Sequence, residues 1–362
     1  MSNFFSLIKR EFRDFLRIKP YNRSWHIALL AALGVGIPLF VGLYFDNLSL
    51  SLMAGLGGLV SLYYSLDTPF PIRMIKLMVC SFGFVISFTV GLLFSFDSIL
   101  SSVTFGLLSV VIHWIVIYYK TKPPGSFFFI MVGAMASYLP HDMEQLPARV
   151  GMMAIGTMFT CLLGLIYGLL THKRNISVTN YSLELKRNRI VSAIESLIIG
   201  IFMFLALIIG HLMKFENPYW LPISCLAVLQ GVSRDHVWRR VYHRVIGTFV
   251  GVGICWLLLS FFKTPLEICI VIFLLQFIIE LVVTRHYALA VVFITPMTIL
   301  LSEVGSSFLF DRDVLILSRL TDITIGSILG AIGGWIIYHQ SLKHKVVRRV
   351  LKSNILNKRN RK

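Results

Sequence analysis

Long apolar runs constrain this chain more than any other feature. A helix crossing the hydrocarbon core of a bilayer needs roughly 20 mostly apolar residues. Eight stretches meet that requirement: Ile27–Phe45, Ile75–Phe94, Ile99–Tyr119, Gly151–Leu170, Ile190–Leu212, Val245–Phe262, Leu266–Val283 and Leu320–Tyr338. Gly, Ser and Pro recur inside them, as in membrane helices whose backbones approach closely. The short alternating segments of a membrane β-barrel do not occur, so the chain reads as an all-α membrane protein. Of its 362 residues, 56% are hydrophobic and only 14% are charged, too few polar groups to cover a water-soluble domain.

Four shorter apolar stretches, Leu48–Leu66, Gly125–Leu139, Tyr219–Gly231 and Tyr287–Leu301, bring the expected number of spans to twelve. With twelve spans the charges sort by side. Of the 34 Lys and Arg, all but Arg149, Lys214, Lys263, Arg312 and Arg319 fall in the end segments or in alternate loops. By the positive-inside rule those loops and both termini are cytoplasmic, which implies a multi-pass membrane protein. The net charge of +17 is thereby an orientation signal. No aromatic-interleaved basic groove accompanies it, so no nucleic-acid partner is expected. The five cysteines, Cys80, Cys161, Cys225, Cys255 and Cys269, all lie within apolar spans without metal-ligand spacing, which points to packing and not to a disulfide framework. No metal or other cofactor is expected.

Residues 1–24 carry Phe5, Ile8, Phe12, Phe15 and Leu16 at near-helical spacing among basic residues, the pattern of a helix lying on the inner membrane face. The tail, 341–362, repeats it with Val346, Val347, Val350 and Leu351. Membrane lipids, anionic ones above all, are the expected partners of both ends.

The chain repeats itself. Ala148-Arg149 followed by Gly156-Thr157 aligns with Ser318-Arg319 followed by Gly326-Ser327, a shift of 319 − 149 = 170. Asn47 aligns with Asn217 at the same shift, and Lys76 and Gly83 align with Arg244 and Gly251 at 244 − 76 = 168. The expected organisation is a six-helix repeat over 25–172, a cytoplasmic linker over 173–189 and a second six-helix repeat over 190–340, the two in the same orientation. Spans two and eight, and five and eleven, form corresponding pairs of short stretches. Pro218, Pro222 and Pro296 interrupt the later pair, and Gly55, Gly57 and Gly58 loosen the second span. Paired interrupted segments point to discontinuous helices around a transport site; tilted or short packed helices are the plainer reading.

No Walker loop, HExxH or CxxC motif occurs, so the chain is not expected to be an enzyme. Ionisable groups at membrane depth are the functional candidates. Asp322, three residues after Arg319 in span twelve, and Glu195 in span seven are candidate proton-coupling residues. A structural Arg319–Asp322 pair and a simple ion-pairing role for Glu195 stand beside that reading. His113 could shuttle protons or serve as a hydrogen-bonded packing histidine, and Glu280 is expected to be an interfacial partner of Arg285. Arg149, Arg319, Arg244, Arg239, Arg240 and Lys76 form a coherent basic set. Arginine holds carboxylates bidentately, and basic rings at pore mouths select anions.

Several segments resemble a known family. Asn217-Pro218-Tyr219-Trp220 continuing to Val228-Leu229-Gln230 resembles the YW…VLQ span of the fusaric acid resistance and aromatic acid exporter family. Arg244 to Thr248 with Gly251 is similar to its R-x-x-G-T-x-x-G motif. Arg285 to Ala288 through Thr295-Pro296 is similar to its R-N-Y-A…T-P segment, and Arg319 to Asp322 with Gly326 to its R-x-x-D-x-x-x-G segment. The first half is a weaker copy, with Lys76 in place of the Arg and no Trp matching Trp220.

The resemblance implies proton-motive efflux of small aromatic or organic acids, and a distant relation to plant aluminium-activated malate channels. Those carry six spans per subunit and dimerise, so this chain looks like such a dimer fused into one polypeptide. Many bacterial relatives have a large cytosolic domain, for which Thr171–Arg189 leaves no room. Arg244, Arg149, Arg319, Lys76, Trp220 and Tyr287 become candidate substrate contacts, and Gly247, Gly251, Pro296 and Gly326 candidate hinge or close-packing positions. Three readings compete: an exporter of organic anions, a passive anion channel using the same residues, and a non-transporting scaffold of the cell envelope. The oligomeric state and the substrate stay open.

Overall fold

A computed structural model describes residues 24–119, 121, 123–171, 189–215, 217–231, 233–305 and 312–338. Every element among the described residues is helical. In chain order they are α1 (Trp25–Tyr44), α2 (Leu48–Gly57) extended by a 3-10 turn (Gly58–Tyr63), α3 (Phe70–Leu93), α4 (Ser98–Tyr118), α5 (Phe127–Ala136), α6 (Leu146–Thr171), α7 (Arg189–Leu212), α8 (Trp220–Leu229), α9 (Arg234–Phe261), α10 (Pro265–Val282), α11 (Tyr287–Gly305) and α12 (Arg312–Tyr338). The segments expected at 1–24, 173–189 and 341–362 lie outside the described residues, apart from Ser24 and Arg189.

Polar residues at the helix starts set the boundaries. Asn47 accepts the Leu50 N–H at 3.3 Å ahead of α2, and Asp97 accepts the Leu100 N–H at 2.7 Å ahead of α4. Thr264 and Glu267 form a reciprocal capping box at α10, with Pro265 at its first position, where a missing N–H costs nothing. Inside the spans, Ser and Thr hydroxyls donate to carbonyls one turn back, as Ser87 does to Gly83 and Ser109 to Phe105. Each hydroxyl is thereby satisfied without water.

Among the described residues, eight helices are long and apolar enough to cross a membrane, and four apolar ones are shorter: Leu48–Tyr63, Phe127–Ala136, Trp220–Leu229 and Tyr287–Leu301. These four are the expected short stretches. The ten residues of α5 and of α8 rise only about 15 Å, half a hydrocarbon core. The 3-10 turn lengthens α2 to about 27 Å. Large apolar side chains such as Phe82, Leu107 and Met158 are mostly exposed, which suits lipid and not water. The chain is a multi-pass membrane protein.

The helices gather into two compact units. The first holds α1, α2, α3 to Thr89, α6, α9 from Tyr242, α10, α11 and α12 to Thr321. Within it α10 packs along α1, α2 lies between α1 and α6, and α11 packs on α10 and α2. The second holds the rest of α3, α4, α5, α7, α8, α9 to Val241, and α12 from Asp322. Within it α4 packs along α7, and α8 packs on α7 and α5. Each unit therefore draws helices from before and after residues 172–188.

None of the five cysteines is in a disulfide, and none is exposed. Ser81 lies 3.1 Å from the Cys161 sulfur, in keeping with the packing role expected of them.

Candidate functional site

The densest group of candidate residues lies in the first unit, where α9, α11 and the start of α12 meet. Gly247 and Gly251 put a small-residue stripe on one face of α9. A methyl group at Gly247 would sit 2.9 Å from the Ala288 carbonyl oxygen, and one at Gly251 would sit 2.7 Å from both the Val292 oxygen and the Thr295 Cβ. The two backbones approach as closely as membrane helices do over small residues. Val292 is also the residue whose carbonyl loses its helical donor, because Pro296 four positions later has no N–H. Gly251 thus faces the carbonyl that the proline releases.

On either side of the proline, α11 presents hydroxyls. Thr295 donates to the Val291 carbonyl at 2.9 Å and Thr298 to the Thr295 carbonyl at 2.9 Å. The Thr298 oxygen in turn accepts from Arg319 Nη2 at 3.1 Å. Arg319 is only 3% exposed, so its charge lies inside the unit. Arg244 on α9, one turn before Thr248, is buried as well; Thr248 donates to its carbonyl at 2.7 Å. Tyr287 opens α11, half-buried, one residue before the Ala288 that Gly247 meets. Arg244, Gly247, Gly251, Tyr287, Pro296 and Arg319 are thus positioned by three helices of one unit.

Two other candidates of that unit lie on other helices. Arg149 is buried in the first turn of α6 and donates from Nη2 to Gln145 Oε1 at 2.9 Å. Lys76 on α3 is partly exposed. One turn earlier, Arg73 is buried. It donates to the Thr68 carbonyl from Nε at 3.2 Å and Nη2 at 2.8 Å, to the Leu66 carbonyl at 3.3 Å, and to the Tyr64 hydroxyl at 3.2 Å. Its guanidinium also lies over the Tyr64 ring, 5.1 Å from the centroid, a cation–π arrangement. Sequence reasoning gave Arg73 only an orienting role.

The second unit holds Trp220, Glu195, Asp322 and Gly326. Trp220 begins α8, buried, with its ring 5.0 Å from that of Tyr219, which lies 5.7 Å from the ring of Tyr138. Gly326 sits against α8: a methyl there would meet the Leu221 oxygen at 2.5 Å and the Ser224 Cβ at 2.7 Å. Asp322 is wholly buried and Glu195 nearly so, on a face of α7 shared with Ser192 and Ser196. His113 makes a 2.8 Å hydrogen bond with Ser126, as expected of a packing histidine. Glu280, expected at the interface, is buried within α10 of the first unit.

The residues that meet on α9, α11 and α12 fall within one matched stretch. Residues 201–333 match the model of a family described as fusaric acid resistance protein-like. That segment includes Arg244, Gly251, Pro296, Thr298 and Arg319, so the matched part of the chain supplies all three helices of the group. An uncharacterised membrane protein of Bacillus subtilis (strain 168), YvaC, is 30% identical over 152 residues, which covers 41% of this chain. The chain spans only 23% of that relative's length. No solved structure matches.

Proposed function

We propose that this chain is a membrane transporter that exports small organic acid anions, aromatic acids among them, driven by the proton motive force. One observation carries the reading: Arg319, a buried cation, reaches a hydroxyl of α11 two residues beyond a proline inside that helix, which runs on unbroken from Tyr287 to Gly305 in place of the discontinuity expected there. A charge held inside a membrane protein beside a helix whose proline frees one backbone carbonyl is a candidate transport element. A guanidinium also offers donors in the geometry a carboxylate accepts. Arg244 and Arg149 are proposed as further anion contacts, with Lys76, Trp220 and Tyr287 lining the path. Asp322 and Glu195 are proposed as proton-coupling groups. Anion exit from a cell with a negative interior is favoured by about 2.3 kcal/mol per charge per 100 mV.

The proposed architecture is twelve spans in two parallel six-helix repeats, with both termini in the cytoplasm and the basic ends on membrane lipid. The order of helix lengths supports it at every position but the fifth, where α11 is longer than α5. It runs 20, 10, 24, 21, 10 and 26 residues for α1 to α6, then 24, 10, 28, 18, 19 and 27 for α7 to α12. The packing supports it too. A step of six helices turns the α4–α7 pair into α10–α1, and the α5–α8 pair into α11–α2.

Flux of benzoate-like and dicarboxylic anions in proteoliposomes, with voltage clamped and a pH gradient imposed or removed, tests the proposal. Flux that responds to both gradients and falls in Arg319→Ala is the expected result. Flux that follows voltage alone would make the protein a passive anion channel. No flux of any organic anion would leave an envelope scaffold.

A further inference from the structure

His286 stands immediately before α11, where its carbonyl accepts the Ala290 N–H at 3.0 Å and opens the helix. Its side chain completes the cap. The backbone N–H of Leu289 donates to His286 Nδ1 at 3.1 Å. Because a backbone N–H can only donate, Nδ1 must carry a lone pair. The bond therefore exists only while that nitrogen is unprotonated. Caps of this kind usually come from Ser, Thr, Asp or Asn, which accept at any pH above the carboxylate range. An imidazole cap is switchable near neutrality.

Three features oppose a proton on this ring, so that its arrival has a structural cost. The side chain is 9% exposed, and burial lowers its proton affinity below the ordinary histidine value. The N-terminal end of a helix carries positive partial charge and repels a cation. The His243 ring of α9 lies face to face with it, centroids 6.0 Å apart and planes 21° from parallel, so a charge on either ring opposes a second proton on the other. Other ionisable groups nearby in the chain are Arg244, next to His243 on α9; Glu280, buried on α10; and Arg285 and Tyr287 on either side of His286. The α2 helix, which packs on α11, carries no acidic or basic side chain between Leu48 and Gly57.

We propose that the His243–His286 pair is a proton-binding site, and that proton uptake there releases the His286 side chain from the first turn of α11. The same helix carries Pro296 and, through Thr298, holds Arg319. Proton binding at one end of α11 is thereby coupled to the buried cation further along it. This coupling rests on the transport reading above; the site itself does not.

Hydrogen exchange of the whole protein in lipid nanodiscs, without substrate, tests the site independently of transport. Protection factors of the Leu289 amide are compared from about pH 8 to about pH 5, a range that brackets imidazole titration. In the unsubstituted protein, protection falls about tenfold on the acid side. His286→Asn, which caps without titrating, keeps its protection throughout. His243→Phe, which removes the facing imidazole, moves the loss to higher pH. Protection that ignores pH in the unsubstituted protein, or falls equally in His286→Asn, overturns the site. Where exchange switches as expected but no anion is transported, the transport reading fails and the proton site stands. Where transport occurs and His286→Asn keeps its full pH dependence, the coupling is overturned.

Discussion

Arg319 of α12 donates to the Thr298 hydroxyl of α11 at 3.1 Å, two residues past Pro296. The hydroxyl is itself bonded to the Thr295 carbonyl, so the arginine is held by a side chain whose own orientation is fixed. Truncating a buried, hydrogen-bonded charge costs about 2 kcal/mol or more. Arg319→Ala is therefore expected to reduce anion flux at least about 30-fold. Thr298→Val keeps the shape but loses the acceptor, a bond to a charged group worth about 1.5 kcal/mol or more, and is expected to lower flux about tenfold. Thr298→Ser restores it. Flux assays on the three variants at matched protein incorporation check the order; equal flux in Thr298→Val and the unsubstituted protein would remove Thr298 from the site.

The α9–α11 seam makes a steric prediction. A methyl at Gly251 would lie 2.7 Å from the Val292 oxygen, a backbone atom that cannot rotate away. Gly251→Val should force the helices apart at an overpacking cost of about 1–3 kcal/mol. Gly253, two residues on, has open space around its would-be Cβ, so Gly253→Ala should cost no stability and gain what helix propensity alanine adds. Thermal denaturation in detergent separates the two, and an equal loss in both variants would contradict the close approach.

How much of this was legible in the sequence depends on what each feature leaves behind. Apolar length marks a span directly, so the eight long apolar helices followed from hydropathy, and the shorter ones among the described residues from hydropathy and from caps such as Asn47. Which helices pack together did not follow. Gly106 of α4 meets Phe204 and Gly200 of α7, yet a small-residue stripe specifies close approach and not a partner, and lipid favours no particular pairing. Arg244 and Arg319 stood out because a buried cation is rare. Thr298 and His286 did not, since a hydroxyl or imidazole becomes meaningful only when another helix places an arginine or an N–H beside it. Arg73 was hidden for the opposite reason: a loop-side arginine resembles any other orienting charge until its burial is known.

Arg73 supports a prediction about the α2–α3 connection. Its four donated bonds end on the Leu66 and Thr68 carbonyls and the Tyr64 hydroxyl. Arg73→Ala leaves buried acceptors without donors and should cost about 3 kcal/mol. Arg73→Lys keeps the charge but not the planar fork and should recover less than half of that loss. Tyr64→Phe loses one bond while keeping the ring beneath the guanidinium, and should cost about 1 kcal/mol. Thermal denaturation of the purified protein should rank the variants in that order. If Arg73→Lys matches the unsubstituted protein, the charge alone matters and the fork does not.

The cap on α11 predicts how stability varies with pH. Burial lowers the folded-state proton affinity of His286 below the ordinary value of 6.5. As pH falls, the unfolded chain therefore takes up its proton first, and stability declines through that interval. The stabilisation is complete above about pH 6.5, shrinks as pH drops below it, and reaches its floor once the folded protein is protonated as well. A side-chain cap contributes about 1 kcal/mol, which sets the scale of the loss from this one residue. In His286→Asn the contribution from this residue should not vary with pH, because the amide does not titrate. Denaturation midpoints at a series of pH values, taken as the difference between the two proteins, isolate the term from all other titrations. An unsubstituted protein that gains stability over His286→Asn as pH falls would reverse the sign and show that the folded state favours the imidazolium.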